Sequence, residues 1–280
     1  MDLPDKLAVF YHDFFDYPLT KEELKRWKTS RNPKYKIEGL VSQKGDYFFL
    51  KGREGIIKKR LQREKFSKSK IKIARAAAEC LMKLPTIKMI GITGSLAMMN
   101  ARKNSDIDLI MITKKDTLWM TRLIAYLLLF IAGFNVRRPK VKNEKDKLCL
   151  NIWLDESDLC WQNYNIFTAH EVAQIVPIVN KNRTYQRFIF ENRWIFKYWP
   201  NAAGAARKNY ESRITNDGEQ SPPLFSIRNS LFKFVELLAF KMQYFYMKPK
   251  VTREVVTEAR AIFHPVDWSG KVLDALDKSY

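Results

Sequence analysis

Two short apolar runs, IKMIGIT at 87–93 and DIDLIMIT at 106–113, bracket the stretch GSLAMMNARKNSDIDL at 94–109. This arrangement constrains the chain more than any other feature. The runs have strand length, and their near-continuous apolar character is that of strands buried in a core. Between them a Gly-Ser turn stands where a helix would begin. Strand side chains alternate faces, so Asp106 and Asp108 project to one side while Ile107 and Leu109 enter the core. Two carboxylates that close repel each other unless a cation lies between them. Mg²⁺ typically takes one or two carboxylates plus substrate phosphates, which points to a nucleoside triphosphate as the second component. Gly94 would let the backbone approach a phosphate closely, and the Ser95 hydroxyl would donate to a phosphate oxygen.

The surrounding pattern places this core in the middle of the chain. Residues 3 to 15 carry apolar and aromatic residues at helical spacing, and Pro18 stops that helix. Thr20 with Glu23 forms a capping box that starts a second helix through about Ser30. IEGLVSQKGDYFFL then reads as a hairpin turning at Lys44-Gly45-Asp46. Helices followed by a basic hairpin suggest a winged-helix-like module over residues 1–66. The run from Gly55 to about Leu84 reads as one or two helices, whose Lys and Arg residues suit either a solvated face or contact with phosphates. Residues 118–133 read as a buried helix, too short at about twelve apolar residues to span a bilayer. LCLNIWL at 148–154 is a third strand of a core placed at 67–160. Residues 165–180, 183–200, 225–247 and 252–263 look helical, giving a helical C-terminal region over 161–280 with an Asn-Asp-Gly and Ser-Pro-Pro loop at 216–223.

Gly94-Ser95, then twelve residues to Asp106, then Ser105-Asp106-Ile107-Asp108-Leu109 resembles the signature of the DNA polymerase beta-like nucleotidyltransferase superfamily. The resemblance covers roughly residues 87–155. It implies an α+β fold with a small mixed sheet and flanking helices, two Mg²⁺ ions, and transfer of a nucleoside monophosphate to a hydroxyl with release of pyrophosphate. Carried over by position, Gly94, Ser95 and Ser105 belong to the nucleotide site, and Asp106 and Asp108 bind metal. The family's third carboxylate, which activates the attacking hydroxyl, falls at Asn151, and its common Arg-Gly pair falls at Met98-Met99. An Asn coordinates through its carbonyl but is a poor base, so a catalytically impaired protein that senses nucleotide or binds nucleic acid is the alternative expectation. Of the nearby acids, Asp155 shares the alternation face of Asn151 but lies about 13 Å further along an extended strand. Asp146 falls in a basic loop.

Charge and composition favour a polyanionic or nucleotide partner. The chain of 280 residues carries a net charge of +20, and residues 1–85 hold 21 Lys and Arg against 11 Asp and Glu. That bias suits RNA or DNA contact through Lys21, Lys25, Arg26, Lys28 and the hairpin turn, or a fold-stabilising cap kept soluble by its lysines. Three cysteines, none in a metal-ligand spacing, fit a reducing cytoplasmic setting, and the N-terminal stretch lacks the marks of a signal peptide. No membrane partner is expected. His170, beside Glu171, reads either as a base or phosphate contact or as a packed structural residue, and His12 and His264 offer less. The aromatic stretches at 185–199 and 232–247 interleave basic residues with rings, as nucleic-acid platforms do, while their helical spacing favours packed helices closing one side of the nucleotide site. No Ser-His-Asp order or Walker-type glycine loop occurs, which disfavours acyl transfer and P-loop chemistry.

Overall fold

The computed structural model describes residues 1–30, 40–138, 143–203, 226–248, 255–263 and 267–278. The 216–223 loop and His264 lie outside them. The described residues form a mixed α and β fold around a six-stranded sheet, with a smaller three-stranded sheet near the N-terminus.

The N-terminal region begins with α1 (Leu3–Asp13), capped by Asp2, whose carboxylate accepts from the Asp5 amide. Strand β1 (Leu19–Thr20) leads into α2 (Lys21–Arg26), and the capping box is present on both sides. Thr20 Oγ1 accepts from the Glu23 amide at 3.3 Å, and Glu23 Oε2 accepts from the Thr20 amide at 2.8 Å. Strands β2 (Val41–Lys44) and β3 (Tyr47–Leu50) form the expected hairpin, and the sheet order is β1-β3-β2. Helix α3 (Gly55–Leu81) is one continuous helix that runs through residue 66. It ties the two sheets together. Arg60 meets Glu23 near its start, Arg63 donates to the Phe15 carbonyl and to Asn100 Oδ1, and Lys70 donates to the Ser105 carbonyl.

The large sheet runs β7-β4-β5-β6-β9-β8. Its centre is β4 (Ile87–Ile92), β5 (Ile107–Thr113) and β6 (Leu148–Asp155), with α4 (Gly94–Ala97) and α5 (Leu118–Ile131) between successive strands. β4 and β5 pair antiparallel, β5 and β6 parallel, the latter joined by the α5 crossover. Residues of these strands divide between two cores. Ile107, Leu109, Met111, Leu150 and Trp153 pack against α3 and α5, whereas Ile110, Ile112, Ile152 and Leu154 pack against α1 and α6 (Ile166–Ala173). Both faces are therefore covered, which accounts for the continuous apolar runs. Each fully buried Ile or Leu here contributes about 1.5–3 kcal/mol.

The C-terminal half departs from the expected helices in two places. Residues 165–180 split into α6 and a strand, β7 (Val176–Asn180), which pairs antiparallel with β4. Within 252–263 the described residues form β8 (Val255–Val256) and β9 (Arg260–Ile262), a hairpin laid against β6. In both cases open backbone groups at a sheet edge outweigh local helix propensity. Helix α7 (Thr184–Glu191) and a 3-10 turn (Arg193–Lys197) follow β7, α8 (Ser226–Met247) packs on α5, and α9 (Trp268–Asp277) closes the described chain. The 118–133 helix is buried on only one side: Ala125 and Leu129 are fully covered, while Leu127, Phe130 and Ile131 are exposed. No helix among the described residues is long and apolar enough to cross a membrane.

Candidate metal and nucleotide site

The parallel pair β5 and β6 builds one end of the site. Asp108 stands opposite Cys149. The register then slips by one residue before Ile110 meets Ile152, so β6 carries an extra residue there, a bulge. This bulge keeps Cys149 and Asn151 on the face of Asp108 while returning Ile152 and Leu154 to the same core layer. Asp106 precedes β5 by one residue on that side. Oxygen atoms of Asp106 and Asp108 and the Cys149 sulfur all lie within 4.8 Å of one another.

The electrostatics of this cluster are unbalanced. Burial, and then the neighbouring Asp106 carboxylate, push Asp108 up to about 7, against the relief that Arg137 offers. Arg137 Nη1 donates to Asp106 Oδ2 at 2.8 Å, and its other end pairs with Glu144. Burial and the two aspartates also hold the Cys149 thiol far above its usual range, so it stays protonated. Asn151 donates through Nδ2 to Asp108 Oδ1 at 3.0 Å, while its Oδ1 is buried without a hydrogen-bond partner among the described residues. A native interior seldom leaves such an atom orphaned. Two carboxylates and an amide oxygen are the donors an oxygen-loving divalent cation takes, and the thiol extends the set to softer ions.

Gly94 is fixed here by two constraints. Its φ is +58°, the left-handed region, and a Cβ at this position would lie 2.9 Å from Asp108 Oδ2. The Thr93 amide donates to the Asp108 carbonyl at 3.0 Å, which pins the turn to the strand. Ser95 is exposed beside it. Met99, at the position of the expected glycine, adopts φ +56° and so takes a backbone conformation that costs a side chain about 1 kcal/mol. The Ser105 hydroxyl donates back to the Arg102 carbonyl at 3.0 Å and faces its own turn.

The other acids separate clearly. Asp155, at the far end of β6, accepts from the Asp116 amide and from Ser157 and takes no part in the cluster. Asp146 is more than a solvated loop residue. It pairs at 2.6 Å with Lys70, whose side chain is only 2% exposed and which also donates to the Ser105 carbonyl, so the loop before β6 is clamped to the residue before Asp106. His170 lies in a buried aromatic cluster, stacked 4.1 Å from the Trp27 ring. Because His12 Nδ1 donates to the Ala8 carbonyl, His12 Nε2 is the acceptor for His170 Nε2 at 3.1 Å. The histidine is thus structural.

Two residues escaped the sequence reading as individual site members. Arg137 was one of several bases in a loop, and Cys149 had no metal-ligand spacing. Only the alternation of β6, which puts residue 149 on the face of residue 151, offered a signal for either. Comparison with family models, with curated proteins and with solved structures finds no match.

Proposed function

We propose that this chain is a metal-dependent nucleotidyltransferase that moves a nucleoside monophosphate from an NTP to a hydroxyl acceptor, releasing pyrophosphate. The observation that carries the reading is the pair Asp106 and Asp108, converged on one strand end with too little positive charge from the chain to balance them. Asp106 and Asp108 would hold Mg²⁺, with the Asn151 amide oxygen in reach after a flip, and the ion would supply charge stabilisation for the transferring phosphoryl group. Gly94 and Ser95 would receive the triphosphate, with Ser105 at the rim. Arg137 brings a guanidinium suited to phosphate oxygens. Loss of both carboxylates, in Asp106→Ala/Asp108→Ala, abolishes metal-dependent NTP binding in calorimetry; unchanged Mg-NTP binding in that variant would refute the assignment.

The order helix, strand, helix, hairpin supports a winged-helix-like role for the N-terminal region. Lys21, Lys25 and Lys44 are exposed there for nucleic-acid phosphates, whereas Lys28 is committed to Asp2 and Asp5. A second reading, a nucleotide sensor without turnover, is favoured by one observation: an amide, Asn151, is the group bonded to Asp108. Labelled pyrophosphate release from each NTP, with RNA, protein and small hydroxyl compounds as acceptors, separates the two. Tight Mg-NTP binding with no release supports the sensor.

A further inference from the structure

Helix α8 is fixed to α5 by specific contacts. The Glu236 carboxylate accepts from the Trp119 and Met120 amides at the start of α5, and Arg122 Nη1 donates to Gln243 Oε1 at 2.6 Å. The Trp119 and Phe240 rings lie 5.1 Å apart, and Ala239 and Met247 are buried. Residues three and four apart share a helix face. Glu236, Ala239, Phe240, Gln243 and Met247 therefore make the inner stripe of α8, and Phe234, Leu238, Met242 and Phe245 make a second stripe on the opposite side. All four of the second stripe are exposed, Phe245 at 82%. α5 repeats the pattern. Ala125 and Leu129 are covered, while Leu127 stands out together with Phe130 and Ile131, at 72% and 71% exposure. Large apolar side chains turned outward on two adjoining helices mark a face that meets something other than water.

The charges on the two helices narrow what that is. α5 contains no Asp or Glu, and Glu236, the one acid of α8, is committed to the start of α5. Among the described side chains, the charges exposed on α8 and just past its end are Lys233, Lys241 and Lys248. A second copy of the chain would set lysine against lysine, and each copy carries a net +20. An acidic bilayer surface answers both features, because its acyl boundary takes the rings and aliphatic side chains while its headgroups take the lysines.

We propose that the outer face of α5 and α8 seats on an anionic lipid bilayer and holds the chain at the membrane surface. This departs from the expectation, drawn from the sequence, of no membrane partner. No helix among the described residues is long and apolar enough to cross a bilayer, and the pair lies in the interface with its apolar stripes downward. The attachment does not depend on the chemistry at Asp106 and Asp108.

The test is co-sedimentation of the full chain with vesicles of phosphatidylcholine alone and of phosphatidylcholine mixed with phosphatidylglycerol. Wild type is compared with Phe130→Ser/Ile131→Ser, Phe234→Ser/Phe245→Ser and Lys233→Gln/Lys241→Gln/Lys248→Gln. The substituted side chains are exposed, so thermal unfolding, followed in parallel, stays at the wild-type midpoint. The expected result is binding to the mixed vesicles that weakens by about tenfold or more in each apolar variant. The lysine variant loses about a hundredfold. Undiminished binding by the apolar variants would show that net charge alone drives adsorption, and overturns the proposal. Equal binding to neutral vesicles overturns the choice of anionic lipid, and no binding to either overturns the whole. A concentration-dependent dimer in sedimentation velocity that the apolar variants dissolve, with no vesicle binding, assigns the face to a second copy instead.

Discussion

Two clusters of half-buried and buried carboxylates in this molecule meet opposite electrostatic fates. In the N-terminal region Glu23 is surrounded by donors: Arg60 donates from Nη1 and Nη2, Tyr17 from its hydroxyl, Thr20 from its amide. Burial would raise its pKa, but Arg60 and these hydrogen bonds outweigh burial and hold it below the ordinary carboxylate value. At the end of β5 and β6, Asp108 has a like charge for a neighbour, the Asn151 amide and the Cys149 thiol as donors and an electrostatic share of Arg137, and it is pushed up to about 7. The same physics acts on both. The first cluster is complete within the chain and works as a structural joint, while the second keeps a raised carboxyl and an Asn151 oxygen without a partner among the described residues.

The largest effect that would break this contrast is Glu23→Ala. It removes a helix cap and leaves Arg60, whose side chain is 7% exposed, with Glu64 as its remaining ion-pair partner. A loss of about 3 kcal/mol is expected in urea unfolding at pH 7; a loss under about 1 kcal/mol would remove the distinction between the clusters.

Stability against pH sharpens the comparison next. Burial lowers His12 to about 4 and holds His170 well below its usual value, so their contribution is present above pH 6.5 and lost as pH falls toward 4. Asp108 and Glu171 are raised to about 7, so theirs is present below the unfolded carboxylate value and lost as pH rises toward 7. The two trends oppose each other in wild type. In Asp108→Asn about half of that opposition is gone, and stability should fall by about 3 kcal/mol more than in wild type between pH 6.5 and 4. Parallel pH profiles for the two proteins would contradict these environments.

A smaller change of opposite sign is expected for Asp108→Asn by itself. Relief of the Asp106–Asp108 repulsion should stabilise the protein by about 1–2 kcal/mol at pH 8, read from the urea midpoint. A clear loss there would mean that Asp108 is satisfied by the chain after all. The smallest effect, a gain of up to about 1 kcal/mol, is expected for Met99→Gly, which frees the left-handed turn position.

What the sequence made legible follows locality. The three central strands, the capping box at Thr20 and Glu23 and the Asp106–Asp108 pair are each written in a few consecutive residues, and each is found where its pattern places it. Edge strands are another matter. The segment VVTEARAI contains good helix formers, and only the open edge of β6 makes Arg260–Ile262 a strand. The bare side of α5 was hidden for a related reason, since a run of Leu, Ile and Phe states only that burial is favourable and not which neighbour supplies it. Cys149 is the sharpest case. It faces Asp108 only because the parallel register of β5 and β6 sets the two opposite each other.

The most direct measurement is unfolding free energy in Mn²⁺ or Mg²⁺ plus NTP against the same buffer with chelator, for wild type and for Asp106→Asn/Asp108→Asn. If the second cluster is completed by a cation and a triphosphate, wild type gains about 2.7 kcal/mol at one hundred times the Kd and the variant gains nothing. Equal gains in both proteins, or no gain in wild type, would contradict it.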